Sequence, residues 1–288
     1  MPELPEVEAL RGFLEERLAG RAVDRAQLVS VAALKTYDPP LGAVEGQAFQ
    51  GVARYGKFLA LRAGELFLVM HLGRAGWVRW SERLPAAPPR PGKGPLALRV
   101  RLREPEGTGF DVTEAGSQKH LALYVVRDPQ EVPGIARLGR DPLGDGFTPA
   151  AFAGLLAGER RQIKGVLRDQ GVLAGIGNAY SDEILHAARM SPFKLAAALS
   201  DEEVARLYAA VGTTLGEAVE RARGLAPEDL KAEKRTGMRV HGRTGQPCPV
   251  CGDTVRAVSF SDSSLQYCPT CQTGGKPLAD RRLSRLLK

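Results

Sequence analysis

The chain has 288 residues and sets 40 Lys and Arg against 33 Asp and Glu, a formal net charge of +7. Hydrophobic residues make up 43% and charged residues 25%, close to globular averages, which excludes global disorder. No apolar run reaches the roughly 20 residues that span a bilayer, and the start is not a basic stretch followed by an apolar one. The expectation is therefore a protein with no membrane segment and no secretory leader, cytoplasmic by default, with about two domains and room for a small third.

The charge excess is local. Residues 231–288 hold 11 basic and 4 acidic side chains, so the first 230 residues are balanced. All four cysteines lie in that same basic stretch. A local positive excess favours a polyanionic partner, of which nucleic acid is the commonest, although charge alone fits a merely soluble basic tail equally well.

Taken in chain order, residues 5–18 read as a helix. Pro5 suits the first helical position, Glu6 and Glu8 complement the positive helix start, and Val7, Leu10, Leu14 and Leu18 recur at helical spacing. From about residue 22 to 126 the pattern changes to short β-like runs, among them 58–61, 66–70, 96–102 and 121–126. Between two of these, residues 85–95 are rich in Pro, Gly and basic side chains and read as a mobile loop. A dense Gly, Pro and Asp segment at 129–149 marks a second change, after which 150–156, 163–167, 180–188 and 201–222 read as helices, with a glycine-rich turn at 174–178. Residues 224–237 read as a flexible, charged connector. The fold class expected is multidomain α and β: an N-terminal β-sandwich with a leading helix over 1–135, a helical domain over 136–236 and a zinc finger over 237–288.

The cysteines are spaced C-x2-C, sixteen residues, C-x2-C, as Cys248, Cys251, Cys268 and Cys271. A two-residue gap lets both thiolates of a knuckle face one tetrahedral ion, and sixteen residues allow a short β-hairpin to bring the second knuckle opposite the first. Four thiolates leave no open coordination position, so one structural zinc is expected. Two close Cys pairs in a reducing compartment favour metal over disulfides.

The chain begins Met1-Pro2-Glu3-Leu4-Pro5-Glu6-Val7-Glu8. Methionine before a residue as small as proline is normally removed, which exposes the secondary amine of Pro2. An α-amino group has an unperturbed pKa near 8, so more of it is neutral and nucleophilic at pH 7 than of a lysine, and Glu3 is placed to move protons for it. Taken alone, such a start reads as a helix leader and no more.

This opening resembles that of the formamidopyrimidine-DNA glycosylase and endonuclease VIII family. Further marks follow in order: Tyr55-Gly56-Lys57, His71-Leu72-Gly73, Leu138-Gly139-Arg140-Asp141-Pro142-Leu143, then Lys164 and residues 169–185 with Ala174-Gly175-Ile176-Gly177-Asn178, which look like a helix–two-turn–helix, and the cysteine module. The resemblance spans almost the whole chain. It implies a bifunctional DNA glycosylase and abasic-site lyase of base excision repair that flips a damaged base out of duplex DNA, with DNA in a cleft between two halves and a monomeric, nucleoid-associated protein. Carried over by position, it implies Pro2 as nucleophile, Glu3 as the acid that assists sugar-ring opening, and Glu6 as a second carboxylate near the site. It implies Lys57, His71 and Asn178 as phosphate contacts and Lys164 as a basic residue near the base pocket. Read alone, without the other motifs, His71 is an ordinary sheet histidine and Lys57 a solvated strand end.

Three positions depart from the pattern of the formamidopyrimidine branch. Arg74 stands where a methionine wedge is usual, residues 112–116 replace an Arg-Phe-Gly loop and carry Glu114, and Ser263 stands where the finger usually has an arginine. An arginine at position 74 can stack its planar guanidinium on bases, although apolar wedges are the usual tools. Arg256 or a basic residue of 276–288 is a candidate substitute for the finger arginine. These departures bear on lesion preference and leave Pro2 and Glu3 in place. A non-catalytic damaged-DNA-binding protein on the same scaffold is the alternative expectation.

Overall fold

The computed structural model describes residues 1–90, 92, 94–260 and 263–279. Pro91 and Lys93 of the basic loop, and the basic residues Arg281, Arg282, Arg285 and Lys288, therefore lie outside the described residues. Two compact units make up the chain: Met1–Leu138 with Ala222–Lys231, and Gly139–Arg221 with Ala232–Lys288.

The first unit opens on helix α1, Leu4–Leu18, with Pro5 in its first turn. Leu4, Leu10, Leu14 and Leu18 are fully buried, so the apolar face read from the sequence is the face that packs, chiefly on strand β2. Each such leucine contributes roughly 2 kcal/mol by leaving water. Eight strands follow: β1 Val23–Leu28, β2 Phe49–Tyr55, β3 Phe58–Ala63, β4 Leu66–His71, β5 Gly76–Ser81, β6 Leu96–Leu102, β7 Gly109–Glu114 and β8 Ala122–Val126. They form two four-stranded antiparallel sheets, in the orders β1-β6-β7-β5 and β2-β3-β4-β8. Inward residues of both sheets, such as Leu61, Leu68, Val78, Leu98, Phe110 and Leu123, share one core with α1. This is the expected sandwich with a leading helix. A short helix, α2 (Pro133–Ala136), covers the outer side of the second sheet through Ile135 and Val132.

Residues 222–231 also belong to this unit, which corrects the expectation of a flexible connector over 224–237. Trp77 donates its ring N–H to Pro227 O at 2.8 Å, Ala222 and Leu230 are buried in the sandwich core, and Leu225 and Ala226 pack against it. Helix α7, Leu230–Gly237, occupies the rest of the segment. The local composition is polar and charged, but a single buried leucine at position 230 and the bond to Trp77 fix it. Single anchors of this kind produce no periodic signal.

In the second unit, α3 (Pro149–Leu156), α4 (Ile163–Arg168), α5 (Asn178–Ala187) and the long α6 (Asp201–Ala222) lie within a residue or two of where the spacing puts them. The glycine-rich segment between α4 and α5 is a double turn. Gly175 has φ +94°, a left-handed conformation that favours glycine, and Gln170 straps the turn by accepting from Gly175 N–H at 2.9 Å and donating to Ile176 O at 2.7 Å. Gly139 lies against the start of this turn: a Cβ there would sit 2.4 Å from Val172 O. The basic C-terminal stretch forms a hairpin of β9 (Arg256–Ser259) and β10 (Ser264–Tyr267), followed by α8 (Pro269–Thr273). Among the described residues, no helix is long and apolar enough to cross a membrane.

Candidate functional site

Pro2 is buried immediately before α1, whereas Met1 is 51% exposed. Glu3 is the residue that caps the helix, in extended conformation, and its backbone N–H donates to Glu6 Oε2 at 2.8 Å. Glu3 and Glu6 are only 2% and 1% exposed. The Pro-Glu-Leu-Pro-Glu start is thus a helix cap in which two carboxylates are held at the positive end of the helix, where negative charge is favoured. One turn on, Glu8 accepts from Arg54 Nε and Arg11 Nε, both at 2.7 Å, and fastens α1 to β2. Burial pushes the Glu8 carboxyl up, but the two guanidinium groups outweigh it and hold it below its ordinary range.

Lys57 and His71 meet at the end of the β3–β4 ladder. Gly56 and Lys57 make the turn from β2 into β3, where Tyr55 pairs with Phe58, and Phe58 pairs in turn with His71. The His71 ring lies 4.6 Å from that of Phe58. Lys57 is 9% exposed. Burial, and then the Lys57 charge, lower the His71 pKa to about 4, so the imidazole is neutral near pH 7. After His71, Leu72 to Ala75 form a tight turn closed by Gly76 N–H donating to Leu72 O at 2.8 Å. Gly73 has φ +58°, and a Cβ there would come within 2.8 Å of the His120 carbonyl, so only glycine fits. Arg74 projects from this turn and is exposed.

The neighbouring segment is organised by Glu114, one of the departures noted in the sequence. It is 3% exposed, and its Oε1 accepts the backbone N–H groups of His120 at 2.6 Å and Leu121 at 2.9 Å. Lys119 donates back to the Glu114 carbonyl. The stretch between β7 and β8 is therefore folded onto its own buried carboxylate.

In the second unit, Lys164 and Asn178 are adjacent. Lys164 is 5% exposed and spends its ammonium on Asp182 Oδ1 at 2.6 Å, Ser181 Oγ at 2.7 Å and Asn178 O at 3.2 Å. This pins the first turn of α5 to α4. Asn178 in turn donates Nδ2 to Ser264 O on β10 at 2.7 Å. The sequence reading missed the acids that follow it. Asp182 Oδ2 takes His241 Nδ1 at 2.7 Å and Gln266 N–H at 3.2 Å. Glu183 accepts three successive backbone N–H groups, from Arg239, Val240 and His241, at 2.8, 2.9 and 2.8 Å. Burial raises the Glu183 pKa, and the three donors pull against that rise. The available signal was an Asp-Glu pair in an otherwise apolar helix.

The four cysteines converge. Their Sγ atoms all lie within 4.8 Å of one another, with Cys248 to Cys271 at 3.9 Å and Cys251 to Cys268 at 3.4 Å. Four sulfurs around zinc at about 2.3 Å form a tetrahedron with edges of about 3.8 Å, so the cluster fits that ion. Burial pushes the Cys268 thiol up to about 11 and raises Cys271 as well. Thiols this close resist ionising together, and a divalent cation removes that resistance. The knuckles are braced by Cys248 N–H donating to Asp253 O at 2.7 Å and by Gln272, which accepts from Cys268 N–H at 2.9 Å and donates to Met190 O at 3.0 Å. Of the departures, Ser263 lies at the hairpin end, where its carbonyl accepts from Phe260 N–H, and Arg256 is exposed at the start of β9.

Comparison with known proteins agrees with this architecture. Residues 1–116 match the formamidopyrimidine-DNA glycosylase N-terminal domain, residues 138–227 the formamidopyrimidine-DNA glycosylase H2TH domain, and residues 245–274 the zinc finger found in FPG and IleRS. An uncharacterized formamidopyrimidine-DNA glycosylase-like protein of Mycobacterium tuberculosis is 64% identical over 137 residues, which cover 48% of this chain and 87% of that one. The formamidopyrimidine-DNA glycosylase of Symbiobacterium thermophilum is 34% identical over 294 residues, 98% of this chain and 93% of its own. The crystal structure of the MutM (Fpg) protein of Thermus thermophilus superposes with a TM-score of 0.78 at 33% identity, covering 96% of this chain and all of that one.

Proposed function

The chain belongs to the formamidopyrimidine-DNA glycosylase family, and from that premise we propose that it is a DNA repair glycosylase with abasic-site lyase activity, acting through the amine of Pro2. The observation that carries the reading is the head of α1, where a buried proline is followed directly by a buried, helix-capping glutamate. Once Met1 is removed, the Pro2 nitrogen is a secondary amine at the positive end of a helix. An α-amine's ordinary pKa near 8 leaves part of it neutral near pH 7, with its lone pair available.

The nitrogen attacks C1′ of the damaged nucleotide, and the bond to the base breaks, the base leaving with a proton. Glu3 delivers a proton to the ring oxygen, the sugar opens, and an iminium joins Pro2 to C1′. Loss of a proton from C2′ then expels the 3′ phosphate and nicks the strand, and water releases the protein. Lys57 and neutral His71 supply one charged and one uncharged phosphate donor. Lys164 acts through Asn178, whose position it fixes, because its own ammonium is engaged within the protein.

The departures favour a second reading, a damaged-DNA binder without catalysis, because Glu114 folds its segment inward and Arg74 replaces an apolar wedge. Borohydride trapping on duplex DNA with an abasic site separates the two. The expected result is a covalent adduct from protein one methionine lighter than the full chain, and none from protein carrying an N-terminal extension, in which the Pro2 nitrogen is an amide, although it still binds the duplex. Binding without any adduct from the processed protein would reject the lyase reading in favour of the second.

A further inference from the structure

Beyond the four cysteines, one more side chain addresses the metal centre. His186, on the last turn of α5, places Nε2 3.3 Å from Cys248 Sγ. Both residues are buried, at 3% and 2% exposure. We propose that His186 donates its Nε2 hydrogen to the zinc-bound thiolate of Cys248, making α5 a supporting wall of the metal centre.

Three observations converge on this assignment. The first is the distance, which suits an N–H to sulfur hydrogen bond. The second is the other ring nitrogen: Nδ1 of His186 is buried and has no hydrogen-bond partner among the described residues. A buried imidazole with one bare nitrogen costs desolvation energy, and such a ring is retained where its remaining N–H makes a strong bond. A thiolate is that partner. Four thiolates around one divalent ion carry a net charge of −2, and an enclosed anion of this kind is stabilised by charge-assisted N–H donors.

The third observation is the placement of His186 on the helix. It lies three and four residues beyond Glu183 and Asp182, so all three occupy one side of α5. Glu183 takes the backbone of 239–241 and Asp182 takes His241 and Gln266. His186 extends that same seam to the first zinc knuckle. Asn178, at the opposite end of α5, holds β10. One helix thereby links the metal thiolates to the segment that carries the proposed phosphate contact.

The test uses the full-length, zinc-loaded protein. His186→Phe keeps an aromatic ring and removes the donor, and His186→Gln keeps a shorter donor. Competition with a chromophoric chelator should show zinc bound 10- to 100-fold more weakly in His186→Phe, the usual effect of losing such a partner, with partial recovery in His186→Gln. In the cobalt-substituted protein the thiolate-to-metal band should move to longer wavelength in His186→Phe, because an unbonded thiolate is the better electron donor. Equal zinc affinity together with an unmoved band would overturn the proposal. If His186→Phe does not fold, nitrogen-15 spectra of the wild-type imidazole decide: a proton on Nε2 supports the assignment and a proton on Nδ1 with a bare Nε2 rejects it. None of these readouts depends on glycosylase or lyase activity.

Discussion

His71 shows how a residue can keep its identity and change its chemistry. As a free side chain it would titrate near 6.5, but burial and Lys57 bring it to about 4. Its folded pKa lies below its unfolded one, so above pH 6.5 the residue has no effect on stability. As pH falls from 6.5 to 4 the unfolded chain takes up a proton that the folded chain resists, and stability is lost. The loss levels off below pH 4 at on the order of 3 kcal/mol. Urea titrations at pH 7.5 and pH 4.5 should therefore show a steeper acid loss in the wild type than in His71→Gln. Equal slopes would mean that the imidazole is not held neutral. Glu3 and Glu6 are a second case: the resemblance implies an acid and a second carboxylate near the site, Glu6 also reads as a complement to the helix start, and the fold builds both into a helix cap. The capping pattern was legible because it is local, whereas the neutrality of His71 was not, since it depends on what Phe58 and Lys57 do around it.

At the scale of the element, α5 concentrates what the sequence did not reveal. Periodicity placed the helix correctly but gave no reason for Asp182, Glu183 and His186, which interrupt its apolar text. In the structure each faces the finger module: Glu183 satisfies three backbone N–H groups that have no other acceptor in a regular element. Replacing Glu183 with Ala strands those donors, one buried and two partly buried, and each loses a charge-assisted bond of about 1 kcal/mol or more. The expected outcome is a loss on the order of 3 kcal/mol in chemical unfolding of the zinc-loaded protein. A loss below about 1 kcal/mol would show that water replaces the carboxylate. Helix α7 teaches the converse. Its segment reads as a charged connector, yet Glu233 meets Arg221 at 2.8 Å and Lys234 sits over the Tyr180 ring at 4.8 Å. Those are tertiary partners, and local composition does not encode them.

For the whole molecule, the zinc centre is the feature with the widest reach. A finger this small has a core of little more than Val240, Val255 and the buried cysteines beside a second patch of Val258, Leu265 and Tyr267. Such a module draws much of its folding free energy from the metal. Metal analysis should give one zinc per chain. After chelation, hydrogen exchange should accelerate across residues 239–279 and along α5, while the amides of β1–β8 keep their protection. Unchanged exchange over 239–279 after zinc loss would show that the finger stands without its ion.

The sequence by itself determined the leading helix, the strand-rich first half, the helices of the second half and the metal-binding knuckles. Each of these rests on a local regularity: a period of two or 3.6, a cap residue, a two-residue gap between cysteines. It also carried the ordered motifs that identify the family. Only the tertiary structure decided how the buried polar groups are satisfied. Lys164 is matched to Asp182, Asn178 to Ser264, Glu183 to the backbone of 239–241, Glu114 to its own loop and His186 to Cys248. Several of these partners lie 56 to 86 residues apart in the chain. A charged side chain looks the same in the sequence whether it faces water or a buried partner. Burial distinguishes the two, because an unpaired polar group costs far more inside the protein than at its surface, and burial belongs to the fold.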